Sequence, residues 1–373
     1  MLGKAWRVAR IKGIDINIDP SWLIIFALIT FSLGSFYFPK IYPQWSRYIH
    51  WIAGLAASIL FFLSVLFHEL AHSFVATWQG EKVNSITLFI FGGAAQIREE
   101  PDSPGKEFLM AIVGPISSIF LAFFFFLVWI IFKNFNQPIA AIGTYLSVIN
   151  IILAAFNLIP GFPMDGGRVL RSILWKVTRN LKTATLVAST IGRIFALLLI
   201  IVGIWQIFTE NFIGGLWLIF IGWFLHNAAM VSYRQVVMKG ILRKIQAEDL
   251  MSRYFEKVPS DLSVEELVDN YLLHGRGHAF LVMDGNDLKG AVCLEDVKEI
   301  PREKRGRTAV KEIMTPKEEL HSVSSSDTGH KVLSQFGIKD VHQVPVIDNS
   351  IVKGIICRSD IIKSLQIRQE LGI

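Results

Sequence analysis

Between about residue 20 and residue 235 the sequence carries six runs of mostly apolar residues, near 21–38, 51–77, 108–132, 141–159, 186–208 and 213–231. Each has roughly the 18 or more residues that a helix needs to cross the hydrocarbon of a bilayer. A membrane interior offers no water to unpaired backbone groups, so spanning segments satisfy those groups as helices or closed barrels. Runs of this length predict an α-helical polytopic membrane domain of about six transmembrane helices. The chain is 52% apolar and only 18% charged, and with the excess gathered in one region a single soluble globule is excluded.

Charge at the ends of the runs sets an orientation. Lys4, Arg7, Arg10 and Lys12 precede the first run, and Arg168, Arg171, Lys176, Arg179 and Lys182 collect after the fourth. The connections near 39–50, 133–140 and 209–212 carry few basic residues. Basic residues stay on the cytoplasmic side, so the expectation is a multi-pass protein of the plasma membrane with both termini cytoplasmic. No small-residue cleavage site follows Phe38, which makes the first run a retained helix rather than a signal peptide. The net charge of +6 is accounted for by juxtamembrane basic residues, and no nucleic-acid partner is needed to explain it. Cys293 and Cys357 both lie in the polar C-terminal part; no disulfide framework or four-cysteine zinc site is available, and a reducing compartment fits.

After about Tyr233, Arg234, Lys239, Arg243 and Lys244 open a segment of soluble character. The expected division is a membrane domain over 1–235 and two repeats over 245–303 and 304–367. Met251 aligns with Met314, Asp284 with Asp348, Gly290 with Gly354, Cys293 with Cys357 and Asp296 with Asp360. Each copy reads as a short helix, a strand, a longer helix, two strands joined by a turn and a closing helix; the turns are Asp284-Gly285-Asn286-Asp287 and Asp348-Asn349-Ser350. The segments Asp249-Leu250-Met251-Ser252, Glu312-Ile313-Met314-Thr315-Pro316, Val344-Pro345-Val346-Ile347-Asp348 and Gly354-Ile355-Ile356-Cys357-Arg358-Ser359-Asp360 resemble a pair of cystathionine-β-synthase-type (CBS) domains, a soluble α/β fold. The resemblance implies an adenine nucleotide held through Asp296 and Asp360, but Cys293 and Cys357 stand where Ser or Thr is usual, and a thiol is a weak donor. Two readings stay open: a nucleotide sensor, or a stability module that pairs two copies of the chain as a homodimer.

The second run contains Phe67-His68-Glu69-Leu70-Ala71-His72-Ser73. Residues four apart on a helix face the same way, so His68 and His72 present two imidazoles to one ion, and Glu69 lies one step around the helix. Three ionisable residues within about one turn of a membrane helix are expensive, which marks a functional site; the bland alternative is a polar knot joining helices. A catalytic zinc takes three protein ligands and keeps a fourth position for water. The fourth run closes on Asn157-Leu158-Ile159-Pro160-Gly161-Phe162-Pro163-Met164-Asp165-Gly166-Gly167, where Asp165 is the one carboxylate at the edge of the apolar segment.

His68-Glu69-Leu70-Ala71-His72 taken with Asn157, Pro160, Pro163, Asp165 and Gly166 resembles the site-2 protease family of intramembrane zinc metalloproteases, in the subgroup with a C-terminal CBS pair. The resemblance implies one Zn2+ per chain on His68, His72 and Asp165, with Glu69 as catalytic base and Asn157 as a substrate or oxyanion residue. The partner it implies is a transmembrane protein substrate, cleaved in regulated intramembrane proteolysis under CBS control. Ile86 to Phe91 is the segment expected to pair with an unwound substrate by strand addition, with Gly92 and Gly93 allowing a sharp turn. Gly114 and Ser118, four apart, are read as helix-packing residues, Asn150 and Asn227 as helix-to-helix hydrogen bonders, and His226 as structural or gating. A CBS-gated membrane transporter and an inactive scaffold are the competing readings; neither needs His, Glu, His and a later Asp at zinc-ligand spacing.

Overall fold

The computed structural model describes residues 5–371 apart from 91, 98–100, 210–211, 244, 254–255, 274–278, 286, 321, 337–342 and 349–350. Lys4, Phe91, Lys244, Asn286, Asn349 and Ser350, named above, lie outside the described residues. The chain divides into two compact units, Met1–Arg234 and Gln235–Ile373.

The first unit opens with strands β1 (Trp6–Ile11) and β2 (Ile14–Ile18), followed by helices α1 (Pro20–Ile41) and α2 (Arg47–Trp78). Strands β3 (Val83–Phe89) and β4 (Gly92–Ile97) come next, then α3 (Pro104–Phe132) and α4 (Gln137–Asn157). A shorter helix, α5 (Asp165–Thr178), precedes α6 (Leu181–Phe208) and α7 (Phe212–Leu242), and the boundary between the units falls within α7. Among the described residues, all of these helices except α5 are long and apolar enough to cross a membrane. Local chemistry starts them where the sequence changes character. Asp19 accepts from Ser21 N at the head of α1, with Pro20 in the first turn, and Asn136 and Asn180 do the same for Ile139 N in α4 and Thr183 N in α6.

Their packing follows bilayer logic. Phe120, Phe123, Ile131, Leu198 and Ile201 are exposed on the outside of the bundle, whereas Ala53, Ala57 and Ser58 of α2 and Ala111 and Ser118 of α3 are buried. Lipid is as apolar as leucine, so small residues that let backbones approach hold such helices together. Two of the expected helix-to-helix bonders divide: Asn150 Nδ2 lies 3.4 Å from Ser64 Oγ on α2, but Asn227 donates to Trp223 of its own helix. Arg171, counted above with the basic flank, is buried at 5% exposure on α5.

The strands form one sheet in the order β1-β2-β3-β4, with β2 and β3 parallel and the outer pairs antiparallel. Ile14, Ile16, Ile86 and Leu88 fill its buried face. The basic N-terminal arm is therefore an edge strand, on which Arg7 and Arg10 pair with Asp15 at 3.8 and 3.3 Å. The expectation that Ile86 to Phe91 pairs with a substrate is corrected: β3 is bonded on both sides, to β2 and to β4, and β4 is the edge strand on the side away from β1.

The second unit carries the repeat. Its first copy holds α8 (Ala247–Leu250), β5 (Glu256–Val258), α9 (Val264–Glu266), β6 (Ala279–Asp284), β7 (Asp287–Cys293), α10 (Leu294–Lys298) and α11 (Arg302–Arg305). Its second holds α12 (Val310–Ile313), β8 (Thr315–Pro316), α13 (Gly329–Phe336), β9 (Gln343–Asp348), β10 (Ile351–Cys357) and α14 (Arg358–Leu371). Equivalent contacts repeat with the sequence: Ser260 Oγ donates to Asp284 at 2.9 Å and Ser324 Oγ to Asp348 at 2.7 Å. Donation from Ser325 and Ser324 holds the Asp348 carboxyl below its usual range. Leu281, Ala291 and Cys293 of one copy join Ile355 and Cys357 of the other in a single buried cluster.

Candidate metal centre

Three helices build the centre. His68 and His72 are one turn apart on α2 and buried at 4% and 8% exposure. Asp165 opens α5 after the turn through Pro160 and Pro163, and that turn is fixed by Phe162 N donating to Ala188 O of α6 and Met164 N to Gly161 O. The result brings His68 Nε2 and His72 Nε2 each to 3.1 Å from Asp165 Oδ2, and to 3.2 Å from each other. Among the described residues this is the one group of three or more His, Cys, Asp or Glu side chains whose donor atoms converge enough to hold a metal ion.

The donors fit zinc. Tetrahedral ligation at about 2.0–2.1 Å requires donors about 3.3 Å apart, close to the three separations found. The far side of each ring is held as well: His72 Nδ1 lies 2.6 Å from Met110 O, and His68 Nδ1 lies 2.8 Å from Ser118 Oγ. A carbonyl only accepts, so Nδ1–H of His72 is the donor, and in the neutral ring this tautomer leaves the Nε2 lone pair for a metal ion; a neutral ring of His68 with the same tautomer donates to Ser118. Such outer contacts fix tautomer and orientation of metal-ligating imidazoles.

Sequence reasoning missed both supports. Ser118 reads in the sequence as a packing residue, and Met110 contributes a backbone carbonyl that no side-chain pattern reveals. Gly114, between them on the same face of α3, serves more than helix packing: a Cβ there would strike His72 Nε2 and lie 2.7 Å from His68 Nε2. Glu69, half-buried, lies beside the pair. A Cβ on Gly93 of β4 would strike its Cγ and stand 3.3 Å from Oε1, so the edge strand runs directly over this carboxylate.

Asn157 is the last residue of α4, and among the described residues no hydrogen bond ties its amide to the triad. In the second unit Asp296 and Asp360 accept from the backbone N–H groups of Cys293 and Cys357 at 2.7 and 2.8 Å, capping the helices that follow. Both thiols are buried, and burial pushes them well above the ordinary thiol range.

Peptidase family M50 matches residues 56–145 and 133–201, and the CBS domain matches residues 247–303 and 310–367. A putative zinc metalloprotease, sll0528, of Synechocystis is 36% identical over 365 residues, covering 96% of this chain and 95% of its own. The chain belongs to peptidase family M50. This M50 peptidase is similar also to the putative zinc metalloprotease Rip3 of Mycobacterium tuberculosis, 30% identical over 96% of this chain and 92% of that one. The site-2 protease from Methanocaldococcus jannaschii is a solved structure 29% identical, covering 61% of this chain and 95% of its own with a TM-score of 0.44. The M50 peptidase is thus a zinc metalloprotease and a multi-pass membrane protein with two CBS domains.

Proposed function

We propose that this enzyme cleaves a peptide bond within a membrane-anchored protein, with His68, His72 and Asp165 holding one zinc ion and Glu69 as the catalytic base. The observation that carries the reading is the meeting of three donor atoms, 3.1–3.2 Å apart, beside a carboxylate overlaid by an edge strand. Zinc bound there supplies Lewis acidity, which activates water toward an amide and stabilises negative charge on the amide oxygen.

The remaining work falls to the chain. Glu69 takes the proton of the attacking water and returns it to the departing amine. The outward N–H and C=O groups of β4 hold the substrate extended, because a peptide in helical form hides its carbonyls in its own hydrogen bonds. Asn157, at the end of α4, offers its amide to the substrate backbone or to developing charge. The apolar helices around the site keep bulk water out.

His68 lies ten residues from the end of the 32-residue α2, about 15 Å along the helix. With both termini cytoplasmic in the plasma membrane, as the Lys and Arg distribution supports, cleavage occurs toward the cytosolic side and releases a cytosolic fragment. The CBS pair then regulates the enzyme from the cytosol and pairs two copies as a homodimer. Cys293 and Cys357, weak donors where Ser or Thr is usual, favour this association role over an adenine-nucleotide site.

The test is Glu69→Gln in purified protein with a transmembrane substrate. We expect cleavage to be abolished while about one zinc per chain remains; unchanged cleavage overturns the reading.

A further inference from the structure

Arg171 and Glu107 are the most deeply buried charged pair among the described ion pairs of the first unit, at 5% and 1% exposure. Arg171 Nε donates to Glu107 Oε1 at 2.6 Å, and its Nη2 reaches the same oxygen. The guanidinium also lies over the Phe162 ring, 5.0 Å from its centroid. We propose that this pair positions the metal centre, locking the helix that carries Asp165 to the helix that orients both imidazoles.

The argument is one of connectivity. Glu107, Met110, Gly114 and Ser118 recur at intervals of three and four along α3 and so share one face. Met110 and Ser118 hold the two rings, and Gly114 makes room for their Nε2 atoms. Asp165 and Arg171 belong to α5, a 14-residue helix too short to be anchored by a span of its own. Without a directional contact, apolar packing alone leaves α5 free to slide or turn on α3, and a shift of a fraction of an ångström at Asp165 spoils a triangle with sides of 3.1–3.2 Å. The stacked Phe162 belongs to the turn that delivers Asp165, so Arg171 holds both the helix and its approach. Two charges removed from water are a costly way to join helices, whereas two guanidinium nitrogens converging on one carboxylate oxygen fix register as methylene contacts do not.

The inference rests on the zinc-site reading above, and the experiment separates the two. Full-length Glu107→Gln, Arg171→Lys, the double variant Glu107→Gln/Arg171→Met and Asp165→Asn are purified in detergent; zinc affinity is read by competition with a chromophoric chelator, and unfolding by calorimetry. We expect Arg171→Lys and Glu107→Gln to bind zinc about tenfold to hundredfold more weakly. The double variant, which buries no unpaired charge, recovers the melting temperature but not the affinity, and the loss appears in kcat with KM for substrate unchanged. Wild-type affinity in Arg171→Lys and Glu107→Gln, or affinity restored together with stability in the double variant, overturns the inference. If the double variant does not fold, Arg171→Lys, which keeps the charge, decides. Retention of wild-type zinc affinity by Asp165→Asn sinks the metal-site reading instead.

Discussion

Gly114 shows how much of the candidate metal centre is decided by what is left out of it. Its Cα faces both Nε2 atoms, and any added carbon falls among them. Gly114→Ala is therefore expected to lower the zinc content of purified protein from about one per chain to near none, measured by metal analysis, while the six-helix bundle still forms. Ser118→Ala removes only the contact behind His68, and we expect zinc affinity to fall about tenfold to hundredfold, read by chelator competition. An unchanged affinity would show that Ser118 is a packing residue after all. The convergence of His68, His72 and Asp165 was legible because it is written in side chains: two at helical spacing, one at a Pro-framed helix break. The supports behind them were not. Ser118 and Met110 lie 50 and 38 residues from the rings they hold, and one of them acts through its backbone.

At the scale of elements, hydrophobic run length announced each of the six candidate spanning helices among the described residues, because a bilayer demands it of each independently. The first strands and α5 obey weaker local rules. Trp6–Ile11 and Ile14–Ile18 are short, and β2 finds its parallel neighbour only after two helices have intervened. Helix α5 follows a turn that signals an ending, and its polar residues read as a charged flank until Arg171 is seen to be buried. The sheet order also moves the expected substrate strand from β3 to β4. Alternate residues of a strand point their N–H groups to opposite sides, so of Ala94→Pro and Ala95→Pro one removes an outward donor and the other a bond to β3. We expect one of the two to lose cleavage while keeping its zinc and its melting temperature, and the other to lower the melting temperature. Full cleavage by both variants would remove β4 from substrate binding.

Across the whole molecule, the change of composition after Tyr233 and the repeated Met, Gly, Cys and Asp positions made the two-part organisation readable, whereas the core made by each copy was not. Cys293 and Cys357 illustrate this: as letters they suggested a departure from a nucleotide-binding pattern, and in the structure they are packed in one buried cluster with Leu281 and Ile355. Burial and a raised thiol pKa leave little reactive thiolate. We expect a thiol reagent at mildly alkaline pH to modify neither cysteine in the folded protein and both after denaturation. Likewise, millimolar AMP or ATP is expected to leave the calorimetric melting of the full chain unmoved. A shift that disappears in Asp360→Ala would assign the nucleotide role to that carboxylate.

The separation of the donors along the chain bears on how a cell makes such an enzyme safely. His72 and Asp165 are 93 residues apart, so a ribosome inserting this chain has placed two further spanning helices, α3 and α4, before the last donor emerges. On the zinc-site reading proposed above, the nascent protein until then holds two histidines and a glutamate but no complete centre, and so nothing with which to cut its membrane neighbours. On that reading, the ability to hydrolyse arrives only with the fold.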